Sequence, residues 1–340
     1  MRRKTLSTGV ALLAIGVAAS ATTVALARSA GKVTKIAIAT PAKANDYGWN
    51  QQGVQAAKNA AAASGAKLTV NDGVGYDNTQ AVLLRLARSG NDFVIAQASG
   101  YNTIASRVAV QTKVPMISYD NPKALIKNYM SDIETSSQDG AYLAGVLAGK
   151  TTKTGKLGIV ISAADTNWYK QSGGFVAGAR SVNPKVKFLF DQVGQAAYDD
   201  AAGGKRVMQA VIAGGADVVF GMGDGATLGY IQAVETSAKK VWFIDVIGNP
   251  TPIDKKGAVL SSVLWDFSKV FKAAIADIEA GTYGTHTYTL GLSNGVSLLK
   301  TKHISASVWS LVQKDRKGIL SGSIKVPLTP TKASVTTLMK

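Results

Sequence analysis

Short apolar runs and amphipathic runs alternate along this chain, and a polar loop follows each apolar run. In the first repeat, Lys35–Thr40 is short, rich in β-branched residues and followed by Pro41, which predicts a buried strand. The side-chain oxygens of Asn45 and Asp46 can cap the helix predicted over Tyr47–Ser64. Ligands in α/β sheets bind beyond the carboxyl ends of the strands, so this loop is predicted to form one wall of a cleft.

The same order recurs along most of the sequence and predicts nine strands. These are Lys35–Thr40, Lys67–Asn71, Asp92–Gln97, Val114–Tyr119, Tyr129–Ile133, Lys156–Ile161, Lys187–Val193, Asp217–Phe220 and Val241–Asp245. Helical patterns lie between them, among them a helix preceded by a capping box of Thr135 and Gln138. Strands alternating with helices imply right-handed crossovers and a mostly parallel, doubly wound sheet. Two consecutive series predict two similar lobes around one cleft.

Length and composition agree with two lobes and exclude several kinds of chemistry. A single core stops growing at roughly 250 to 300 residues, and this chain has 340 residues of which 46% are hydrophobic. The chain has no cysteine, which excludes disulfides and thiolate metal sites. The sequence contains neither an H-E-x-x-H nor a D-x-D-x-D-G motif, so it predicts no metal site. Its two histidines, His286 and His303, are interpreted as surface residues, because no G-x-S-x-G elbow supports a Ser-His-acid triad.

The amino terminus predicts export. Arg2, Arg3 and Lys4 precede an uncharged run over residues 5–27 that ends in the small-x-small sequence Ala-Leu-Ala, which is typical of a signal peptide at residues 1–27. An uncleaved anchor stays open, since 23 uncharged residues can span a bilayer, and so does the choice between Sec and Tat export. The net charge of +17 includes a basic tail, residues 301–340, with seven Lys and Arg side chains against one acid. We interpret the tail as a solvated face rather than a nucleic-acid site.

One motif favours an enzyme instead. The sequence G-M-G-D-G-A at residues 221–226 follows a predicted strand and opens a helix, and Asp245 ends the next strand. Such glycines admit a pyrophosphate in dinucleotide-binding folds, so an NAD(P)-dependent oxidoreductase is the alternative function. The motif lies deep in the second series, however, and Asp224 would repel the phosphates. A tight turn that lines the site of a neutral ligand is the favoured interpretation.

Aromatic residues stand where the predicted loops meet the cleft. Trp49, Trp168 and Trp265 fall at strand ends or helix starts, whereas Trp242 and Trp309 lie within predicted elements. An indole at a loop usually packs or stacks, and flat ligands bind to such faces. Rim packing between the lobes is the competing interpretation for each tryptophan. The three together favour a ligand with planar or sugar faces.

The chain resembles the basic membrane protein family of exported binding proteins for ABC importers, which includes purine nucleoside receptors. The resemblance extends from about Lys35 to Leu299 and rests on the order and spacing of several short motifs. These are N-D-Y-G-W-N-Q (45–51), D-G-A-Y-L-A-G-V-L-A (139–148), T-G-K-L-G (154–158), G-G-A-D-V-V-F (214–220), G-D-G-A-T-L-G (223–229) and I-D (244–245).

The resemblance implies a type I periplasmic-binding-protein fold, with two α/β lobes joined by three crossings. It assigns residues 33–134 and about 266–300 to an N-terminal lobe. Residues 135–265 and about 301–340 then form a C-terminal lobe with the basic tail. At matching positions, Asn45 and Asp46 are expected to hydrogen-bond a base, Trp49 to stack on it, and Asp120 to line the first-lobe wall.

In the second lobe the resemblance implies that Asp224 and Asp245 accept hydrogen bonds from ribose hydroxyls, in line with the acceptor chemistry of carboxylates. This chain has Trp265 where the family usually has a lysine, which leaves a free base, another nucleoside or a sugar open as ligands. The predicted ligand-binding residues are Asn45, Asp46, Trp49, Asn50, Asp120, Trp168, Asp224, Asp245 and Trp265.

The sequence therefore predicts a solute-binding protein that is not an enzyme and delivers a small polar ligand to an ABC transporter permease. We expect it in the periplasm or at the outer face of the cell membrane, as a monomer without cofactor or nucleic-acid partner. A regulator of the same fold is disfavoured, because a signal peptide stands where a helix-turn-helix domain would be.

Overall fold

The structure, a computed structural model, describes residues 31–340. The predicted signal peptide and the alternative of an uncleaved anchor lie outside the described residues. Within residues 31–340, no helix has both the length and the apolar character needed to cross a membrane.

Twelve strands form two six-stranded sheets in the described chain. They are β1 (Lys35–Ala39), β2 (Lys67–Asn71), β3 (Phe93–Ala96), β4 (Met116–Tyr119), β5 (Met130–Thr135), β6 (Lys156–Ile161), β7 (Lys187–Gln192), β8 (Val218–Met222), β9 (Trp242–Ile247), β10 (Val259–Trp265), β11 (Tyr288–Leu290) and β12 (Val296–Leu298). The first sheet has the order β11-β5-β4-β3-β1-β2 and the second β12-β10-β9-β8-β6-β7. Neighbouring strands are parallel except for β12, which pairs antiparallel with β10.

Ten α-helices connect and cover the sheets in residues 31–340. They are α1 (Trp49–Ser64), α2 (Thr79–Arg88), α3 (Asn102–Thr112), α4 (Ser137–Thr151), α5 (Thr166–Val182), α6 (Ala201–Ala213), α7 (Thr227–Thr236), α8 (Ser268–Ala280), α9 (Ala306–Leu320) and α10 (Lys332–Met339). All nine predicted strands are present, most of them within two residues of the predicted ends. The predicted capping box of α4 is wrong, because Thr135 ends β5 and the Ser136 cap receives no side-chain hydrogen bond.

The chain crosses between the lobes three times, which confirms the predicted architecture. It leaves the first sheet after β5, returns after β10 when α8 packs on α1, and crosses again between β11 and β12. The third crossing falls at residues 291–295, before the boundary predicted near residue 300, so Val296–Leu298 belongs to the second lobe. Each crossing follows the end of a strand of the first or second sheet, which places the cleft at the carboxyl ends of the strands.

Each sheet forms the centre of its lobe's hydrophobic core, because its central strands are apolar on both faces. In β1, Ile36 to Ala39 are fully buried, as expected for a parallel strand covered by helices on both sides. In the second lobe, α4 and α5 pack backbone against backbone. A Cβ at Gly178 would lie 1.9 Å from the Tyr142 carbonyl oxygen, and one at Gly145 would lie 2.1 Å from that of Phe175. Only glycine allows this approach.

The basic tail is a folded part of the second lobe. Helix α9 packs on α4 and α10 packs on α5. The Arg180 guanidinium donates to the carbonyl oxygens of Leu338 and Met339, both at 2.6 Å, and Val335 is buried. Most of the tail's Lys side chains remain exposed. The tail is therefore a docked segment with a basic outer face.

Candidate functional site

A cavity of about 580 Å³ lies between the lobes, at the carboxyl ends of both sheets. The first lobe contributes Pro41, Ala42, Trp49, Asn50, Tyr76, Ala98, Ser99 and Gly100. The second lobe contributes Asp165, Asn167, Trp168, Ala196, Ala197, Tyr198, Asp199, Asp200, Asp224 and Trp265. The loops after β1, β2, β3, β6, β7 and β8 and the last residue of β10 thus meet around one space, as parallel α/β sheets require of a ligand site.

Asp46 holds the start of α1. Its Oδ1 accepts from the backbone N–H groups of Gly48 (3.1 Å) and Gln51 (3.0 Å), and its Oδ2 accepts from the N–H (3.0 Å) and Nδ2 (2.6 Å) of Asn50. Tyr47 has a φ of 56°, so a left-handed turn separates Asp46 from the helix it caps. Asp46 is 5% exposed and does not line the cavity. Its contacts are those of an N-terminal cap.

Trp49 belongs to an aromatic cluster at the cavity wall. Its Nε1 donates to the Gln97 carbonyl oxygen at 2.7 Å. The ring packs edge-on against Tyr119, Phe267 and Trp265, with centroid distances of 4.7, 5.4 and 6.1 Å. Because the N–H is already bonded within the protein, Trp49 offers a ligand its ring rather than a donor.

Asp224 reaches from the second lobe to the first. Its Oδ1 accepts from the backbone N–H of Trp49, the first residue of α1, at 3.0 Å. A Cβ at Gly48 would lie 2.6 Å from this oxygen, so a glycine is needed at that approach. Burial raises the pKa of Asp224 well above its usual range, and the charge of Asp46 acts in the same direction. Asp224 therefore lines the cavity while joining the two lobes.

Asp120 makes a second contact across the cleft. Its two carboxylate oxygens lie 3.3 and 3.2 Å from Nδ2 of Asn167 in the second lobe, and Ser99 also donates to it. Burial raises the pKa of Asp120 above its ordinary value. Ser99 and Asn167 line the cavity, whereas Asp120 lies behind them. Its carboxylate holds wall residues in place.

The loop after β6 supplies cavity residues that sequence reasoning missed. Asp165 caps α5 by accepting from the N–H groups of Asn167 (2.7 Å) and Trp168 (3.3 Å), and its Oδ2 accepts from the Tyr198 hydroxyl at 2.9 Å. The helix begins at Thr166, directly after Asp165. The signal was present, because Asp165 follows a strand just as Asp46 does. Trp168 is 4% exposed and its Nε1 donates to Ser162 Oγ at 3.2 Å.

Asp245 and Trp265 are both 1% exposed but differ in position. Asp245 accepts from Thr227 Oγ1 at 3.1 Å and does not line the cavity. Strand β9 continues to Ile247, two residues beyond its predicted end, so Asp245 lies inside the sheet. Trp265 ends β10 and lines the cavity. Its Nε1 has no hydrogen-bond partner among the described residues.

The structure thus brings together five of the nine predicted site residues: Trp49, Asn50, Trp168, Asp224 and Trp265. Four lie outside the lining. Asn45 is exposed at the surface, Asp46 caps α1, Asp120 supports the wall, and Asp245 lies within the second sheet. Contact between the five residues and a ligand remains a prediction. The lining residues that the sequence did not single out include Tyr76, Asn167 and Tyr198.

The G-M-G-D-G-A turn is built for close packing and carries acidic groups. A Cβ at Gly221 would lie 2.7 Å from the Phe243 ring, and one at Gly225 would lie 2.5 Å from Oδ1 of Asp199. The carboxyl groups of Asp199 and Asp224 both adjoin this turn. A pyrophosphate in the same place would meet like charges. The turn's geometry disfavours the dinucleotide alternative.

The histidines lie away from the cavity. His286 Nε2 is 3.5 Å from an oxygen of Asp277, and the ring of His303 lies 4.8 Å from that of Trp242. Within residues 31–340, no three His, Cys, Asp or Glu side chains cluster in a way that could hold a metal ion.

Proteins of a described family are similar to this chain in sequence. Residues 33–329 match the Bmp family, described as PnrA-like ABC transporter substrate-binding proteins. The chain is 26% identical to the ABC transporter nucleoside-binding protein BmpA of Lactococcus lactis, over 94% of this chain and 97% of the relative. It is 30% identical to a purine-binding protein of Brucella abortus, over 43% of each chain.

A solved ABC transporter solute-binding protein from Conexibacter woesei has the same fold, with a TM-score of 0.74 at 21% identity. The similarity covers 87% of this chain and 99% of that chain, and it confirms the predicted type I periplasmic-binding-protein fold. Because the family match spans most of the sequence, from Val33 to Thr329, the chain belongs to the Bmp family of PnrA-like ABC transporter substrate-binding proteins.

Proposed function

We propose that this protein captures a nucleoside, or a related base or sugar, between its lobes for delivery to an ABC importer. The observation that carries the proposal is the cavity of about 580 Å³, lined by aromatic side chains from both lobes and by carboxyl groups from the second lobe. Small-molecule sites typically enclose about 300 to 1,000 Å³. The names of the relatives from Lactococcus lactis and Brucella abortus support a nucleoside or purine.

The wall chemistry suits such a ligand. The indole N–H groups of Trp49 and Trp168 are bonded within the protein, so these residues present ring faces and edges to a planar base. Asp165, Asp199 and Asp224 offer carboxyl oxygens, which accept from hydroxyl and amino groups. Flat surfaces from both lobes and acceptors from the second lobe would together fix the orientation of a base and its sugar.

Binding would be coupled to closure of the lobes. Each lobe alone carries only half of the lining, and a ligand that contacts both favours the closed arrangement. The closed protein would then dock on the transporter at the membrane. We expect this receptor to be exported to the periplasm or the outer face of the cell membrane and to act as a monomer.

Calorimetry with a panel of nucleosides, bases and sugars tests the proposal, using the purified protein and the variant Asp224→Asn. The variant keeps one oxygen for the Trp49 N–H and loses one acceptor for the ligand. We expect it to bind about 5- to 50-fold more weakly, the cost of about one to two hydrogen bonds to a ligand.

Asp315→Asn, on α9 and outside the cavity, is the matched control and should bind as the parent does. Mass spectrometry of small molecules released from the purified protein gives an independent identification. Absence of binding across the panel, or equal affinity of Asp224→Asn and the parent, would count against this function.

A further inference from the structure

The charge of the cavity is opposite to that of the chain. The sequence has 38 Lys and Arg against 21 Asp and Glu, yet four aspartates line the cavity: Asp165, Asp199, Asp200 and Asp224. Among the described lining residues there is no Lys, Arg or His. Nothing in the lining itself balances the carboxyl groups.

Neutral donors occupy only part of these carboxyl groups. Asp165 accepts from two backbone N–H groups and the Tyr198 hydroxyl, Asp200 from the N–H of Gly203, and Asp224 from the N–H of Trp49. Ion pairs found in residues 31–340, Lys43 with Asp72 and His286 with Asp277, involve no lining residue. The acidic groups are therefore positioned by backbone donors and retain capacity for a ligand.

Three of the carboxyl groups line the same cavity as Tyr76 of the opposite lobe. Desolvation raises the pKa of the Tyr76 hydroxyl, and the charges of Asp224, Asp199 and Asp165 raise it further. Tyr76 belongs to the first lobe and the three aspartates to the second. A group that binds between them would face all three acids together with an aromatic ring.

The remaining lining adds aromatic faces and one free donor. Trp49, Tyr76, Trp168, Tyr198 and Trp265 line the same space, and aromatic faces attract cations. Within the described chain, the buried Nε1 of Trp265 lacks a partner. Such a group is costly to leave unpaired. It favours a ligand that also carries a hydrogen-bond acceptor.

We propose that the ligand is a small organic cation, carrying an ammonium group or a positively charged heterocycle beside a hydrogen-bond acceptor. This inference rests on the proposed function and narrows it, because a neutral nucleoside or sugar would leave the acids unbalanced. The positive charge lies among Asp165, Asp199 and Asp224, and charge-assisted hydrogen bonds there are about twice as strong as neutral ones. The aromatic rings enclose the rest of the ligand.

The titration behaviour of the site agrees with this placement. Desolvation raises the pKa of Asp199 and Asp224, and the charge of Asp46 raises both further. A bound cation favours the ionised carboxylates and lowers these pKa values. Binding of a cation should therefore release protons from the protein, whereas binding of a neutral ligand should not.

Two matched pairs of probes test whether the site prefers a positively charged ligand. Adenosine and 1-methyladenosine differ by a methyl group that makes the purine cationic near neutral pH, and glucose and glucosamine differ by an ammonium group. In calorimetry we expect at least one cation to bind about tenfold or more tightly than its neutral partner. Repeating the titration in two buffers of different ionisation enthalpy should reveal proton release with that cation.

The variant Asp199→Asn tests whether the Asp199 carboxyl group binds the positive charge. Asp199 is exposed at the cavity, so its substitution is compatible with folding, which thermal unfolding checks. We expect the variant to weaken binding of the cation about tenfold or more and to weaken binding of a neutral probe by a clearly smaller factor, because the asparagine carbonyl oxygen still accepts a hydrogen bond. Asp315→Asn removes the same charge outside the cavity and should leave both affinities unchanged.

The outcomes separate this inference from the proposed function. If the neutral member of each pair binds as tightly as its cation, or if Asp199→Asn weakens both members equally, the cationic ligand is excluded while the binding function stands. If neither member of either pair binds, the cationic ligand is also rejected. A nucleoside and sugar panel without any binding then counts against the proposed function as well.

Discussion

The carboxyl group of Asp245 is buried, and its Oδ2 has no hydrogen-bond partner among residues 31–340. Desolvation raises the pKa of Asp245 well above its usual range. The folded protein thus binds this proton more tightly than the unfolded chain, whose carboxyl groups titrate near about 3.9. By linkage, the stability that Asp245 contributes is fully present at a pH below the unfolded pKa of about 3.9. It is lost as the pH rises from there through the higher pKa that Asp245 has in the folded protein.

We therefore predict that Asp245→Asn raises the free energy of unfolding at neutral pH and removes part of its decline between pH 4 and neutrality. Urea denaturation across this range measures the effect. Asp72→Asn is the control of opposite sign, because the N–H of Ala44 and the Lys43 ammonium lower the pKa of Asp72. That variant should lose a little stability at neutral pH and match the parent in acid. A parallel pH dependence of Asp245→Asn and parent would contradict the argument.

Asp245 also shows that the sequence around one residue does not fix where its strand ends. A strand was predicted there, and the strand is present, but two further residues extend it to Ile247. That extension moves the carboxyl group from the strand end, where it would face a ligand, into the sheet beside Thr227. The residues at positions 246 and 247 are apolar, so the pattern alone did not mark the end of the strand.

At the scale of elements, the start of α1 depends on one carboxylate. Asp46 accepts from the backbone N–H groups of Gly48, Asn50 and Gln51, donors that would otherwise lack a partner at the helix end. We predict that Asp46→Ala lowers the free energy of unfolding by about 1 to 2 kcal/mol. Chemical denaturation monitored by circular dichroism gives the value.

Asn45→Ala is the matched control, one residue earlier and exposed. We expect it to change stability by less than about 0.5 kcal/mol, as surface substitutions usually do. The pair also separates the two roles predicted from the sequence, helix cap and ligand contact. Equal losses of stability in both variants would show that Asp46 is not the cap.

Most elements were predictable because their patterns are long and regular. The strands Lys67–Asn71 and Lys156–Ile161 have the predicted ends. The short strands β11 and β12 were missed, because three residues carry too little periodicity. The shape of the cavity was equally out of reach, since Tyr76 and Tyr198 come from loops that only the folded lobes bring together.

At the scale of the whole molecule, the lobes approach through strained loops. Tyr47, Asp120, Asp224 and Ile247 all have φ values between 47° and 67°, which non-glycine residues seldom adopt. A Cβ at Gly248 would lie 1.7 Å from the Tyr47 carbonyl oxygen, so the two lobes' loops are in direct contact here. Strained residues concentrated where the lobes meet oppose closure, so the closed arrangement depends on contacts across the cleft and with a ligand that offset this strain.

Hydrogen bonds across the cleft are few enough for one substitution to shift this balance. Asn167 contacts Asp120 of the first lobe and Thr135 at the end of β5, where the chain first crosses. Asn167→Ala removes the hydrogen bonds with both Asp120 and Thr135, and each contributes about 1 kcal/mol, so we predict that it lowers the ratio of closed to open protein about 5- to 30-fold. The radius of gyration from X-ray scattering should rise for the ligand-free variant. The apparent dissociation constant of the ligand should rise by about the factor by which the closed fraction falls.

Asn59→Ala removes a side-chain hydrogen bond of similar length, to Ser268 within the first lobe, and should change neither the radius of gyration nor the affinity. If the two variants gave the same scattering curve and affinity, the cleft contacts of Asn167 would not govern closure, and the ligand alone would hold the lobes together.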